Sequence, residues 1–157
     1  MYNSSLPALF IGRFQPFHLG HLDALQQISK KEKRIIIAIG SAENKRSKIN
    51  PFTAGERYQM VEQALRGKLK NIIIIPVRDI NVDSKWVRYV ESLLPLFGNV
   101  YTGSSIVKRL FEKTGGHRVI PIHIRKKISG TEIRKRILKG EKWDHLVPKE
   151  VAALIKN

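Results

Sequence analysis

The fold of this 157-residue chain is decided by the stretch Gly12–His21, which reads GRFQPFHLGH. The apolar run Leu6–Ile11 before it is typical of a buried strand, and Leu22, Leu25 and Ile28 follow it at helical spacing. The stretch therefore joins a strand to a helix. At the carboxyl edge of a parallel sheet such a junction binds ligands, because the helix start offers unpaired N–H groups and the positive end of a dipole. We expect a phosphate site here.

Two histidines, His18 and His21, lie three residues apart in the first turn of this helix and point to the same side. Gly20 between them lets an anion approach the backbone closely. Taken alone, the pair fits two other interpretations: ordinary polar residues at a helix start, or half of a metal site. Zinc is the weaker of these, because the chain has no cysteine and no His-Glu-x-x-His motif.

Further strand-like runs recur along the chain, with helical patterns between them. They are Arg34–Ile39, Asn71–Val77, Asn99–Tyr101 and Arg118–Ile122. The second and third of the five runs are continuously apolar, as are strands covered on both faces. The pattern predicts an α/β fold, a Rossmann-like doubly wound parallel sheet of five strands with helices on both faces. No linker or repeat interrupts it, so we expect a single domain over residues 1–157.

Two of the helices have marked starts, because Thr53–Glu56 and Ser129–Glu132 each have the sequence of a capping box. In the second, capping and phosphate binding can coexist, since Gly130 and Thr131 still present N–H groups to an anion. Arg134 lies one turn beyond Thr131 and can face the same side. A second phosphate-binding helix start is therefore expected here.

The formal net charge of +16 has three interpretations. A basic chain can bind nucleic acid, it can attract a smaller polyanion such as a nucleoside triphosphate, or it can simply have a lysine-rich solvated surface. The excess is concentrated between Ile106 and Lys142, which contain twelve Lys or Arg against three Asp or Glu. Charge alone does not choose among the three.

Composition places the protein among globular chains, since 42% of its residues are hydrophobic. The absence of cysteine excludes disulfides, residues 1–7 lack the pattern of a signal peptide, and no apolar stretch approaches the ~20 residues of a membrane helix. We therefore expect a cytoplasmic protein with no membrane contact. The Gly-x-Gly-x-x-Gly and Walker motifs are also absent, which argues against a dehydrogenase and a P-loop kinase.

Three blocks, Gly12–His21, Asn50–Arg57 and Ser129–Arg134, resemble in order the motifs of the HxGH nucleotidyltransferases, in the form of archaeal nicotinamide-mononucleotide adenylyltransferases. The resemblance covers nearly the whole chain. It implies the nucleotidyltransferase fold and adenylyl transfer from ATP to nicotinamide mononucleotide, or to the nicotinate form, with release of pyrophosphate. It also implies Mg²⁺ bound mainly to the phosphates, with no metal ligands from the protein, and a homo-oligomer.

The resemblance also implies which residues form the site. The predicted catalytic residues are His18, His21, Arg13 and Arg134. The predicted ATP and phosphate contacts are Gly12, Phe14, Gln15, Gly20, Gly103, Ser129, Gly130 and Thr131. The predicted acceptor contacts are Gly40, Ser41, Asp79, Ile80, Asn81 and Trp86. A phosphomonoester with a second pKa near ~6 needs no general base, so we assign the histidines charge stabilisation and positioning.

Trp86 is predicted to stack on the nicotinamide ring, and the alternative is a core aromatic at a helix start. The chain departs from the family pattern at three places, all outside the phosphate motifs. Glu43 stands in place of Gln, and Lys45–Arg46 in place of Ser-His. Asp83 stands in place of Asn, and Ser104–Ser105 in place of Asn-Pro.

Two alternative functions stay open. Within the fold, the acceptor can be phosphopantetheine or FMN, with ATP or CTP as donor. From another class, the chain can be a basic RNA-binding module without catalysis. We do not expect nucleic acid as the partner, because unspecific basic binders do not need two phosphate-binding helix starts.

Overall fold

A computed structural model describes residues 5–44, 46–123 and 125–157. Its strands are β1 (Ala8–Gly12), β2 (Ile35–Ile39), β3 (Ile72–Pro76), β4 (Val100–Thr102) and β5 (Val119–Pro121). Its helices are α1 (Leu19–Ser29), α2 (Ala54–Leu65), α3 (Asp83–Leu93), α4 (Ser105–Thr114), α5 (Gly130–Lys139) and α6 (Lys149–Lys156), with a 3₁₀ turn at Asp144–Leu146. All strand pairs are parallel, in the order β3-β2-β1-β4-β5.

Helices cover both faces of the sheet, because successive strand residues point to opposite sides. Ala8 and Phe10 of β1 pack with α1, α2, α5 and α6 in one hydrophobic cluster. Leu9 and Ile11 pack with α3 and α4 in another. The predicted doubly wound sheet is thus confirmed, with strand limits that differ from the predicted runs by one or two residues.

One inference from the apolar runs is wrong. The interior strand β2 is fully buried, as predicted, but β3 lies at the edge of the sheet and is only partly covered. Ile73 of β3 is 45% exposed. A run of isoleucines favours a strand because its side chains are β-branched, but it does not reveal whether that strand lies inside the sheet or at its edge.

The α2 helix starts as its sequence predicts. The Thr53 hydroxyl accepts a hydrogen bond from the Glu56 N–H, and the Glu56 carboxylate accepts one from the Thr53 N–H, which completes the capping box. None of the helices in the described ranges is long and apolar enough to cross a membrane.

Candidate active site

A cavity of about 670 Å³ opens at the carboxyl edge of the sheet, between the loops that follow β1, β2, β3, β4 and β5. Fifteen of the eighteen predicted site residues line it. They are Gly12, Arg13, Phe14, Gln15, His18, Gly20, His21, Gly40, Ser41, Asp79, Trp86, Gly103, Gly130, Thr131 and Arg134. The topology thus brings together residues from distant parts of the chain, as expected for a parallel sheet.

The two histidines themselves cap α1. His18 is the N-cap, and its Nδ1 accepts hydrogen bonds from the N–H groups of Gly20 (3.1 Å) and His21 (3.3 Å). The Nδ1 of His21 accepts one in return from the His18 N–H, at 3.1 Å. This is a capping box made of two imidazoles, whose rings stack with centroids 3.6 Å apart. The prediction that both side chains point to the same side is confirmed.

The capping box also fixes where the protons lie. A ring nitrogen that accepts a hydrogen bond carries no proton, so each neutral imidazole has its proton on Nε2. Burial lowers the pKa of His18 to about 4, and burial together with the charge of His18 lowers the pKa of His21 well below its usual value. Both rings are therefore neutral near pH 7. Each offers one Nε2–H donor, and no hydrogen bond within the described residues engages either atom.

Gly20 has a role that its sequence context did not predict. Its N–H and that of His21 are already bonded to His18, so they are not free to bind an anion. A side chain at Gly20 would lie 2.9 Å from Cε1 of His18. Gly20 therefore makes room for the imidazole, and the donors of the two rings that have no hydrogen-bond partner among the described residues are the Nε2–H groups.

Two arginines supply positive charge to the same cavity. Arg134 donates to the carbonyl of Gln15 at 2.7 Å and to the Thr131 hydroxyl at 3.2 Å, and Arg13 donates to Oδ1 of Asn50 at 2.9 Å. Burial and, after it, the charge of Arg13 lower the pKa of Arg134. Among the described residues neither guanidinium pairs with a carboxylate. Two neighbouring cations without a counterion make a site for an anion.

The α5 helix start contributes less than its sequence suggests. Ser129 does not line the cavity, and its hydroxyl is the N-cap that accepts from the Glu132 N–H at 3.1 Å. Glu132 does not complete the predicted box, since its carboxylate pairs with Arg136 at 3.0 Å. Gly130 is pressed against the β1–α1 loop, where a Cβ would lie 3.0 Å from the Gln15 carbonyl oxygen. The N–H groups of Gly130 and Thr131 stay at a helix start that faces the cavity.

The acceptor side is only partly as predicted. The Ser41 hydroxyl donates to the Asp79 carboxylate at 2.5 Å, and both residues line the cavity beside Gly40. Ile80 instead packs against the cluster formed by α3 and α4, and Asn81 is exposed outside the cavity. Trp86 fits both interpretations, because it lines the cavity while it is 9% exposed and packs edge-on against Phe111.

The Asn50–Arg57 block holds the β1–α1 loop in place. The buried Gln15 side chain donates to the Phe52 carbonyl at 2.8 Å and accepts from the Phe52 N–H at 3.1 Å. The Gln15 side chain thus fixes the β1–α1 loop to the backbone of Phe52. Arg57 is fully buried and donates to the carbonyls of Arg13, Gly40 and Ser41 at 2.7–3.0 Å. One guanidinium therefore ties together the ends of β1 and β2.

A family model described as cytidylyltransferase-like matches residues 9–136, which include the three motif blocks. The chain belongs to the cytidylyltransferase-like family. Curated relatives bear the name nicotinamide-nucleotide adenylyltransferase. That of Methanococcus vannielii is 49% identical over 149 residues, 94% of this chain and 87% of the relative. That of Pyrococcus furiosus is 46% identical over 154 residues, 95% of this chain and 82% of the relative. The resemblance drawn from the motifs is confirmed.

Among solved structures, this cytidylyltransferase-like chain is similar to a bifunctional NMN adenylyltransferase/ADP ribose pyrophosphatase from Francisella tularensis, complexed with AMP and a manganese ion. The TM-score is 0.78 at 29% identity. The match covers 99% of this chain and 49% of the other, so the chain spans about half the length of that protein.

Three of the residues that depart from the family pattern, Glu43, Arg46 and Ser104, form hydrogen bonds or an ion pair with nearby groups. Glu43 accepts from the Asp79 N–H at 3.1 Å, and Arg46 pairs with Glu56 of the α2 capping box. Ser104 lines the cavity, and its hydroxyl caps α4 by accepting from the Val107 N–H. Asp83 is the first residue of α3. Lys45 lies outside the described residues.

Sequence reasoning missed several residues of this cytidylyltransferase-like site. Asn50, Ile49 and Ile106 line the cavity but were not predicted. Arg57 was quoted only as the end of a motif. A signal for it exists, because Arg57 lies three and four residues before Met60 and Val61 on the buried face of α2. A charge at an apolar helical position indicates a buried, hydrogen-bonded role.

The lowered histidine pKa values predict that the fold weakens in mild acid. Above pH ~6.5 His18 is neutral in both the folded and the unfolded chain. Below that pH the unfolded chain binds a proton at His18, whereas the folded chain binds it only near pH 4. We expect the free energy of unfolding to fall by roughly 3 kcal/mol across this interval, measured by urea denaturation at a series of pH values.

The matched control for this effect is His18→Asn, since asparagine is a good N-cap that does not titrate. Its stability should change less between pH 6.5 and 4.5 than that of the wild type. Equal slopes in the two proteins contradict the assignment.

Proposed function

We propose that this chain transfers the adenylyl group of ATP to nicotinamide mononucleotide, which gives NAD and pyrophosphate. One observation carries the proposal. His18, His21, Arg13 and Arg134 line one cavity, and that cavity continues to Trp86. A triphosphate and a second, aromatic nucleotide fit the two halves of this space in chemistry and in charge.

The reaction requires in-line attack. A phosphate oxygen of the mononucleotide forms a bond to the α-phosphorus of ATP, and the bond from that phosphorus to the β-phosphate oxygen breaks. The attacking group is largely a dianion at pH 7, so no residue has to remove a proton. The two imidazole N–H groups stabilise charge that builds on the phosphoryl oxygens, and the two arginines hold the departing pyrophosphate.

Magnesium enters in this proposal as part of the MgATP substrate. In the described part of the chain no three His, Cys, Asp or Glu residues lie together so as to hold a metal ion. The histidines and arginines of the cavity present N–H donors, which do not ligate cations, so the phosphate oxygens would hold the ion.

The test offers the purified protein MgATP with each acceptor in turn: nicotinamide mononucleotide, nicotinate mononucleotide, phosphopantetheine and FMN, with CTP as a second donor. Pyrophosphate is assayed, and the product is identified by chromatography and mass. We expect pyrophosphate and NAD from ATP with nicotinamide mononucleotide. Turnover with phosphopantetheine or FMN alone would refute the choice of acceptor, and binding of polynucleotide without any turnover would favour the RNA-binding alternative.

Trp86 gives a separate prediction about the acceptor. Trp86→Leu removes the ring but fills the core, so we expect the KM for nicotinamide mononucleotide to rise about tenfold while the KM for ATP is unchanged. The control is Phe111→Leu, because Phe111 packs against Trp86 without lining the cavity. An unchanged acceptor KM in Trp86→Leu would make this residue a core aromatic only.

The remaining parts of the proposal are a single domain over residues 1–157, a cytoplasmic location, a homo-oligomer and use of the amide or the acid form of the mononucleotide. Light scattering coupled to size-exclusion chromatography measures the oligomeric state, and the acceptor series above separates the two forms.

A further inference from the structure

Asp23 lies on α1, two residues after the histidine pair, and binds a segment that is distant in sequence. Its carboxylate accepts from the N–H of Arg125 at 3.3 Å, from the Arg125 Nε at 3.0 Å and from the Arg125 Nη2. It also accepts from the Gln27 side chain at 3.0 Å, and Gln27 donates in turn to the His123 carbonyl at 2.8 Å. One face of α1 therefore holds the backbone on both sides of residue 124.

The pair is asymmetric in burial. Asp23 is 7% exposed, whereas the Arg125 side chain is 64% exposed. The hydrogen bond from Arg125 is the main cause that lowers the pKa of Asp23. A buried carboxylate is costly unless it is paired and hydrogen-bonded, so a partner at this place is required, and Arg125 supplies it.

The held segment leads directly into the phosphate site. The Lys126 carbonyl oxygen lies 3.6 Å from the position that a Cβ of Gly20 would take, next to the His18 ring. Ile122 and Ile128 line the cavity, and Ser129 then caps α5. The segment thus covers the histidine turn and sets the approach of α5.

Two anchors therefore fix α5 relative to α1. On one side Arg134 donates to the Gln15 carbonyl, which belongs to the loop before α1. On the other side Asp23 binds Arg125, five residues before Gly130. A triphosphate held between two helix starts needs both at a fixed separation, because donors displaced by about 1 Å lose much of their effect.

We propose that Asp23 and Arg125 are a positioning pair that fixes the α5 helix start against His18 and His21 and so sets the affinity for the triphosphate and the rate of its reaction. The inference rests on the proposed function. Neither residue lines the cavity, and the pair acts through the separation of the groups that do.

The experiment compares the wild type with Arg125→Met and Asp23→Asn. Arg125→Met is the safer variant for folding, since its side chain is mostly exposed and Gln27 still donates to Asp23. We expect kcat/KM for ATP to fall about tenfold to a hundredfold in both, with the KM for the acceptor nearly unchanged and the Kd for ATP, measured by calorimetry, raised. Arg125→Lys, which keeps the charge and one donor, should lie between Arg125→Met and the wild type.

The matched control is Glu62→Gln, which removes the exposed ion pair with Arg66 on α2, outside the cavity. If the wild type releases pyrophosphate and both variants match Glu62→Gln in kcat/KM and in Kd for ATP, the pair is only structural and the inference is overturned. Equal rises in the KM values for ATP and acceptor overturn it as well. If the wild type shows no turnover with any acceptor, the proposed function fails, and the Kd for ATP alone then decides whether the pair positions the phosphate groups.

Discussion

His21→Asn is expected to lower kcat about a hundredfold or more while the protein stays folded. The asparagine oxygen can replace Nδ1 as the acceptor for the His18 N–H, so the cap is kept. What is lost is the Nε2–H donor. A donor that acts on charge formed only in the transition state affects kcat more than KM, so the KM for ATP should change little. Steady-state kinetics of pyrophosphate release measure both constants.

The matched control for this variant is His145→Asn. His145 lies in the 3₁₀ turn at Asp144–Leu146 and does not line the cavity, so its replacement should leave both constants unchanged. A kcat within about threefold of the wild type in His21→Asn would remove this imidazole from the reaction and return it to a purely capping role.

Arg57→Met should have the largest effect on stability. The change leaves the carbonyl oxygens of Arg13, Gly40 and Ser41, which are buried or partly buried, without this donor, and each unsatisfied buried group costs about 1–3 kcal/mol. Methionine fills part of the space, so we expect a loss of about 3–5 kcal/mol in the free energy of unfolding, measured by urea denaturation.

Arg66→Met on the same helix is the comparison for this measurement. Arg66 is exposed and pairs with Glu62, and such pairs contribute about 1 kcal/mol or less. If the two methionine variants lose the same stability, the buried guanidinium does not hold the loops together. Arg57 fixes the backbone of Arg13 through a hydrogen bond to its carbonyl oxygen. An Arg57→Met protein that remains folded should therefore also bind ATP more weakly.

Much of the fold could be predicted because its signals are local. The buried run Ile35–Ile39 and the strand-to-helix change around Gly12–His21 are readable from apolar spacing, and the parallel topology then brings both phosphate motifs to one edge. The place of β3 at the edge was not readable in this way, since strand order depends on pairing between distant segments.

The site was predictable by residue type more than by role. His18, His21 and Arg134 were expected at the cavity and are there. Gly20 and Ser129 have other tasks, because backbone and side-chain hydrogen bonds within a helix start compete with a ligand for the same groups.

The identities of hydrogen-bond partners that are distant in sequence were not predictable from local spacing. Arg57 binds loops up to 44 residues away, and Asp23 binds a residue 102 positions along the chain. No periodicity in the sequence records such pairs.

The reciprocal cap of His18 and His21 has a consequence for how the protein responds to acidity. Histidine ordinarily serves as the sensor that changes charge between pH 5 and 8. Here protonation of Nδ1 would remove the acceptor that caps the first turn of α1, so both rings are uncharged donors near pH 7, and among the described residues the positive charge of the cavity comes from Arg13 and Arg134. We therefore expect a change of pH between 6 and 8 to leave the charge of this histidine pair unchanged, and acid to lower the stability of the fold instead.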